Sequence, residues 1–235
     1  MKISVVFDNY VVDNRFTTGW GFACLLETPT NTILFDTGGD SSILLNNMNQ
    51  LQIKPEKVDA VVISHIDGDH TGGLAGFLEL NKAVTVYLLR SFPDSFKERV
   101  KSSGAKVEEI YEARELLPSV YTTGELGKNI KEQSLIVENG GGLVVVTGCA
   151  HPGIVETTKT VKATFPDKII RLVMGGFHLK AASKAQVMSI ISSLNQIGVV
   201  KAAPSHCSGD LARKLFKEQF VSNYIDSGAG KRIIL

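Results

Sequence analysis

The densest chemistry in the chain lies in Ser64-His65-Ile66-Asp67-Gly68-Asp69-His70-Thr71-Gly72-Gly73. His65, Asp67, Asp69 and His70 bring two imidazoles and two carboxylates into one loop. Groups this close together must be solvated, paired with one another or bound to a cation. An exposed acidic turn would explain a lone Asp-x-Asp. It does not explain flanking histidines, an apolar run leading in from Val58 to Ile63, and an exit through a glycine pair. Imidazole and carboxylate together are the donor set of a divalent-metal site.

The remaining histidines repeat the pattern. His151, His178 and His206 each follow an expected strand, and each has a glycine within three residues, as do His65 and His70. Loops beyond the carboxyl ends of strands are where α/β sheets bind ligands. Asp36 stands in the same position, after Thr32 to Phe35. Cys149 and Cys207 lie beside two of these histidines; a thiolate ligand is one reading, since Cys149 is two residues from His151 and can point to the same side, and small buried residues at strand ends is the preferred one.

The elements that must carry these residues follow from periodicity and turn chemistry. Strands are expected over 2–7, 20–27, 32–35, 58–63, 84–89, 106–110, 120–123, 133–137, 143–147, 169–174, 199–203, 221–225 and 232–235. Helices are expected over 41–51, capped by Asp40 or Ser41, and over 73–80, 94–102, 154–165, 182–197 and 210–220. Asn139-Gly140 signals a hairpin. Strand–helix alternation makes the chain α/β. No Pro/Gly/Ser-rich linker interrupts it, so residues 1–235 are read as a single domain with two similar halves.

Composition narrows the classes. The chain has 235 residues, 25 Lys or Arg against 24 Asp or Glu, and a net charge of +1. That gives no footprint for nucleic acid or an anionic membrane. No apolar run suits a transmembrane span, and Met1 to Asp8 reads as a first strand and not a leader. Three cysteines, an odd number, point to a reducing cytoplasm without a disulfide framework. The expected partner is a small-molecule substrate; oligomeric state is left open.

These residues resemble the metallo-β-lactamase-fold superfamily of metal-dependent hydrolases. The resemblance rests on Leu34-Phe35-Asp36-Thr37-Gly38, the His65–His70 cluster with Thr71-Gly72-Gly73, His151 and His206. Trp20-Gly21-Phe22, Gly148-Cys149-Ala150-His151, Gly175-Gly176-Phe177-His178-Leu179 and Pro204-Ser205-His206-Cys207 are similar to the branch of dihydropterin ribofuranosylaminobenzene phosphate synthase-like proteins. The resemblance implies a four-layer αββα sandwich. It implies metal ligands His65, Asp67 and His151 for one ion and Asp69, His70 and His206 for a second. Asp36 would orient a ligand histidine through its ring N–H. Zinc is the first expectation, at one or two sites. The family has His at the position of Asp67, and a hard carboxylate oxygen there shifts preference toward iron or manganese. Where relatives carry a bridging Asp, this chain has His178, which cannot bridge two ions.

A bound cation would lower the pKa of a water toward neutrality. Asp69 is the candidate ligand and general base, His178 the candidate proton donor and substrate contact. Asn9 is a second candidate substrate contact, in an irregular loop over 8–18. That loop and residues 90–123 are expected to set specificity. Four readings follow: hydrolase, pterin-related transferase, non-haem diiron redox protein, and metal-binding module without turnover.

Overall fold

The computed structural model describes residues 1–235. They form two compact units, Met1–Glu112 with Gly228–Leu235, and Ala113–Ser227.

The first unit is built on a seven-stranded sheet ordered β13-β1-β2-β3-β4-β5-β6. Its strands are β1 (Lys2–Phe7), β2 (Ala23–Glu27), β3 (Thr32–Phe35), β4 (Ala60–Val62), β5 (Thr85–Leu89), β6 (Lys106–Ile110) and β13 (Arg232–Ile234). β13, β1, β2 and β3 pair antiparallel; β3 to β6 pair parallel. The short β4 is buried throughout, as its β-branched run requires. Helix α1 (Ser41–Gln50) is capped by Asp40, whose carboxylate accepts from Ile43 N–H at 3.0 Å. A single helical turn, α2 (Gly68–Thr71), precedes α3 (Leu74–Leu80), and α4 (Asp94–Ser102) follows.

The second unit holds a six-stranded sheet ordered β12-β11-β10-β9-β8-β7. These are β7 (Glu112–Leu117), β8 (Val120–Gly124), β9 (Leu135–Asn139), β10 (Gly142–Thr147), β11 (Ile169–Gly176) and β12 (Lys201–Ser205). β9 and β10 form the expected hairpin. Gly140 and Gly141 both take positive φ, 56° and 82°, the two-residue geometry that matches strand twist. β10, β11 and β12 run parallel, each followed by a helix: α5 (Ile154–Thr164), α6 (Lys184–Ile197) and α7 (Asp210–Phe220). Ser183 and Gln186 close a capping box at the start of α6. The helices bury Val161, Ile191, Leu194 and Phe216 against Val145, Val173 and Phe177.

Three elements differ from the sequence reading. β7 is a strand although Glu112-Ala113-Arg114-Glu115 carries no β-forming pattern; its first four residues are exposed and pairing with β8 organises it. Residues 221–225 form no strand. Val221 takes φ 49°, a 3-10 turn follows, and only Tyr224 bridges to Ala202. β2 begins at Ala23, three residues later than expected, because Gly21 has φ 143° and lies against the backbone of Asp69. No helix is long and apolar enough to cross a membrane.

Candidate metal centre

In the first unit, parallel pairing of β3 with β4, Phe35 opposite Val62, places Asp36 at the exit of one strand beside Ser64 and His65 just past the exit of the other. Asp36 is fully buried and adopts φ 57°. Its carboxylate accepts from Ser64 N–H at 2.7 Å and from the Ser64 hydroxyl at 2.8 Å. It also accepts from His70 Nδ1 at 2.7 Å. Because the Ser64 hydroxyl donates to Asp36, its oxygen accepts from His65 Nδ1 at 2.8 Å. One carboxylate therefore sets the tautomer of both imidazoles, directly for His70 and through Ser64 for His65. Each Nε2 then presents a lone pair. His65 Nε2 lies 3.4 Å from an Asp67 oxygen and His70 Nε2 lies 3.7 Å from an Asp69 oxygen. The two rings sit with centroids 4.2 Å apart.

The loop that carries them is clamped onto the turn after β3. Thr37 N–H and its hydroxyl both donate to the His70 carbonyl, at 2.9 and 2.8 Å. A Cβ on Gly72 would stand 2.4 Å from Gly39 O, and one on Gly73 would stand 2.1 Å from Thr37 O. The glycine pair is required for this close approach. Asn9 is half-buried in the turn after β1.

In the second unit, the exits of β10, β11 and β12 carry His151, His178 and His206. Three residues in these exits adopt left-handed backbone: Ala150 (φ 57°), His178 (φ 53°) and His206 (φ 47°). For non-glycine residues this costs roughly 1–2 kcal/mol each, a strain that collects at functional loops. Glu132, 1% exposed, holds the first exit together. Its carboxylate accepts from the backbone N–H of Cys149, Ala150 and His151, each at 2.8 Å, and from His151 Nδ1 at 2.9 Å. His151 is thereby fixed with Nε2 as its lone-pair nitrogen. Phe177 is buried in the core and its N–H donates to Ser208 Oγ at 3.0 Å. The next residue, His178, projects outward and is exposed. Its ring centroid lies 4.7 Å from that of His151.

Cys149 is the hub of this unit's donors. Its sulfur lies within 4.8 Å of a ring nitrogen of each of His151, His178 and His206, and of the Cys207 sulfur. The Cys207 thiol is held well below its ordinary pKa. The hydrogen bond from Cys149 is the main cause, with His178 and His206 adding to it against the opposing effect of burial.

Two features were not anticipated from sequence. Glu132 stands 17 to 19 residues before the loop it anchors; nothing local marks it beyond its proximity to the β9 run. A cavity of about 590 Å³ is lined by Leu126, Lys128, Ile130, His151, Pro152 and His178 among others. The segment 126–130 thus faces two site histidines, whereas specificity was expected from 8–18 and 90–123.

The donor chemistry of each unit fits divalent cations: in the first, two imidazoles with Nδ1 tied to an acceptor and the carboxylates of Asp67 and Asp69; in the second, His151 with Nδ1 tied to Glu132. Comparison with known proteins agrees. Residues 20–158 match the model of the metallo-beta-lactamase superfamily, and the chain belongs to that superfamily. It is 30% identical to a 7,8-dihydropterin-6-methyl-4-(beta-D-ribofuranosyl)-aminobenzene-5'-phosphate synthase of Methanocaldococcus jannaschii, over 99% of this chain and 96% of that protein. A solved metal-dependent hydrolase of the beta-lactamase superfamily superposes with TM-score 0.85 at 27% identity, covering 100% of this chain and 99% of the other. The metallo-beta-lactamase fold protein YhfI of Bacillus subtilis superposes with TM-score 0.73 at 15% identity over 99% of both chains. Two sheets with flanking helices are the architecture of this fold.

Proposed function

We propose that the chain is a metal-dependent hydrolase acting on a small phosphorylated or ester/lactone-type metabolite through a metal-activated water at a mono- or dinuclear centre. The observation that carries this reading is the shared wiring of the imidazoles: His65, His70 and His151 each have Nδ1 held, by Ser64, Asp36 and Glu132. That is how metal-binding histidines are oriented. In this reading His65, Asp67 and His151 would hold one ion, and Asp69, His70 and His206 the other, as the family resemblance implies. The cation supplies Lewis acidity and lowers the pKa of water. Asp69 would orient a water at the centre and accept its proton. His178, exposed beside His151, donates the proton to the leaving oxygen. Lys128, at the rim of the 590 Å³ cavity, meets a substrate phosphate. Asn9 contributes from the loop after β1.

The test is a panel of phosphoesters and lactones assayed with zinc-, manganese- and iron-loaded enzyme. His178→Ala should lower kcat about a hundredfold with KM little changed, and Lys128→Ala should raise KM for phosphorylated substrates only. No turnover across the panel with any metal would reject hydrolysis.

A second reading, a pterin-related synthase, is favoured by the 30% identity that spans nearly the whole of both chains. It keeps the same residues and cavity. Assay with a dihydropterin bearing a leaving group on its 6-methylene and a ribofuranosylaminobenzene 5'-phosphate separates the two: product joining both with release of that group supports the synthase, and inertness with this pair removes it.

A further inference from the structure

The second unit contains two sulfurs that the hydrolase reading does not use, beside a histidine that it does. Cys149 Sγ, Cys207 Sγ and a ring nitrogen of His178 lie within 4.8 Å of one another. They come from the exits of three consecutive parallel strands, β10, β12 and β11. Both cysteines are 5% exposed, whereas His178 is open to solvent.

The backbone leaves room for this gathering. A Cβ on Gly176 would stand 2.7 Å from Cys207 Sγ, 3.2 Å from Cys149 Cα and 2.3 Å from Gly148 O. Glycine at 176 therefore lets the Cys207 sulfur reach across the end of β11 toward Cys149. The sulfur accepts from His178 N–H at 3.3 Å. The carbonyl of Cys207 accepts from the N–H groups of both Leu179 and Lys180. Three short loops are thus tied together around two sulfurs.

Two thiolates and one imidazole form a soft, charge-neutralising set for a divalent ion, unlike the carboxylate-bearing loop of the first unit. Tetrahedral zinc, with bonds of about 2.3 Å to sulfur and 2.0 Å to nitrogen, places its donors about 3.5–3.8 Å apart. Donors already within 4.8 Å need to close by no more than about 1.3 Å to reach that geometry. Three protein ligands would leave a fourth position open, on the exposed His178 side.

We propose that Cys149, Cys207 and His178 form a thiophilic cation site in the second unit, adjoining His151 and His206 through Cys149 and selective for zinc-like ions over manganese or magnesium. Binding joins two thiolates to one Zn²⁺ in a charge-neutral complex and releases whatever protons the two sulfurs still carry. It occupies His178, so the soft ion and the proton-donor role of that side chain exclude each other.

The experiment uses the full chain, reduced with a phosphine and stripped by chelation, and titrated with Co²⁺ as the zinc probe while near-ultraviolet absorption is read. An intense thiolate-to-cobalt charge-transfer band that saturates with added ion is expected. Cys207→Ser should at least halve it, His178→Ala should weaken the band's affinity about tenfold or more, and Cys24→Ala should leave it intact. Variants are checked by far-ultraviolet circular dichroism; if Cys149→Ser does not fold, Cys207→Ser and His178→Ala decide. Cobalt uptake without a thiolate band overturns the proposal, as does a band that both variants leave at full strength. Neither result depends on enzymatic activity.

Discussion

The donor sets of the two units reach similar chemistry by opposite constructions. In the first, His65, Asp67, Asp69 and His70 sit on one loop, and a single buried carboxylate, Asp36, wires both imidazoles. In the second, the donors come from three separate strand exits. The carboxylate there, Glu132, holds mainly backbone: three consecutive N–H groups and one ring nitrogen. The first construction is local and hard, built from carboxylate and imidazole. The second depends on strand order and includes two sulfurs. The contrast teaches that an anchoring carboxylate can act on side chains or on the loop itself, and the two uses fail differently when it is removed.

Glu132→Ala should have the largest effect on stability. It strands three buried N–H groups and a ring N–H, and should cost about 3–5 kcal/mol by urea unfolding. Asp36→Ala should cost about 2–4 kcal/mol, but its loss of metal affinity, about 10- to 100-fold by calorimetric titration, should be the greater share of its phenotype. If Asp36→Ala proves the more destabilising of the two, the contrast between loop-anchoring and ring-orienting carboxylates is wrong.

Gly176→Ala should follow, at about 1–3 kcal/mol, because the new methyl overlaps Gly148 O and Cys207 Sγ. Ser64→Ala should cost about 1–2 kcal/mol. It should also weaken metal binding by about tenfold, since the relay from Asp36 to His65 is cut while His70 keeps its partner. The smallest stability change belongs to Asp67→His. The Asp67 side chain is 44% exposed, so the unfolding free energy should change by less than about 0.5 kcal/mol. Its metal preference should shift toward zinc. Unchanged metal selectivity would remove Asp67 from the ligand set.

Much of this arrangement is legible in the sequence, for reasons that differ between the units. The loop at 65–70 is a short-range signal: donors, spacing and the following glycines can all be read within ten residues. Asp36 is legible because it ends a clear apolar strand. His151, His178 and His206 are visible as histidines at strand ends. That their strands are consecutive, parallel neighbours is a tertiary fact, and it converts Cys149 and Cys207 from isolated small residues into neighbours. Glu132 escapes reading because its partners are backbone N–H groups, which every sequence contains. β7 escapes because pairing with β8 overrides its polar composition. The expected strand at 221–225 fails because Val221 turns left-handed directly after α7.

The proposal most open to test is that His70 and His206 are ligands of the same ion. Metal stoichiometry and affinity, measured by elemental analysis and calorimetric titration, test it most directly when wild type is compared with His70→Ala in the first unit and His206→Ala in the second. The account predicts that both variants lose the same ion, leaving the remaining binding event intact. If His206→Ala binds metal with wild-type stoichiometry and affinity, the two donor sets work independently and the claim is contradicted.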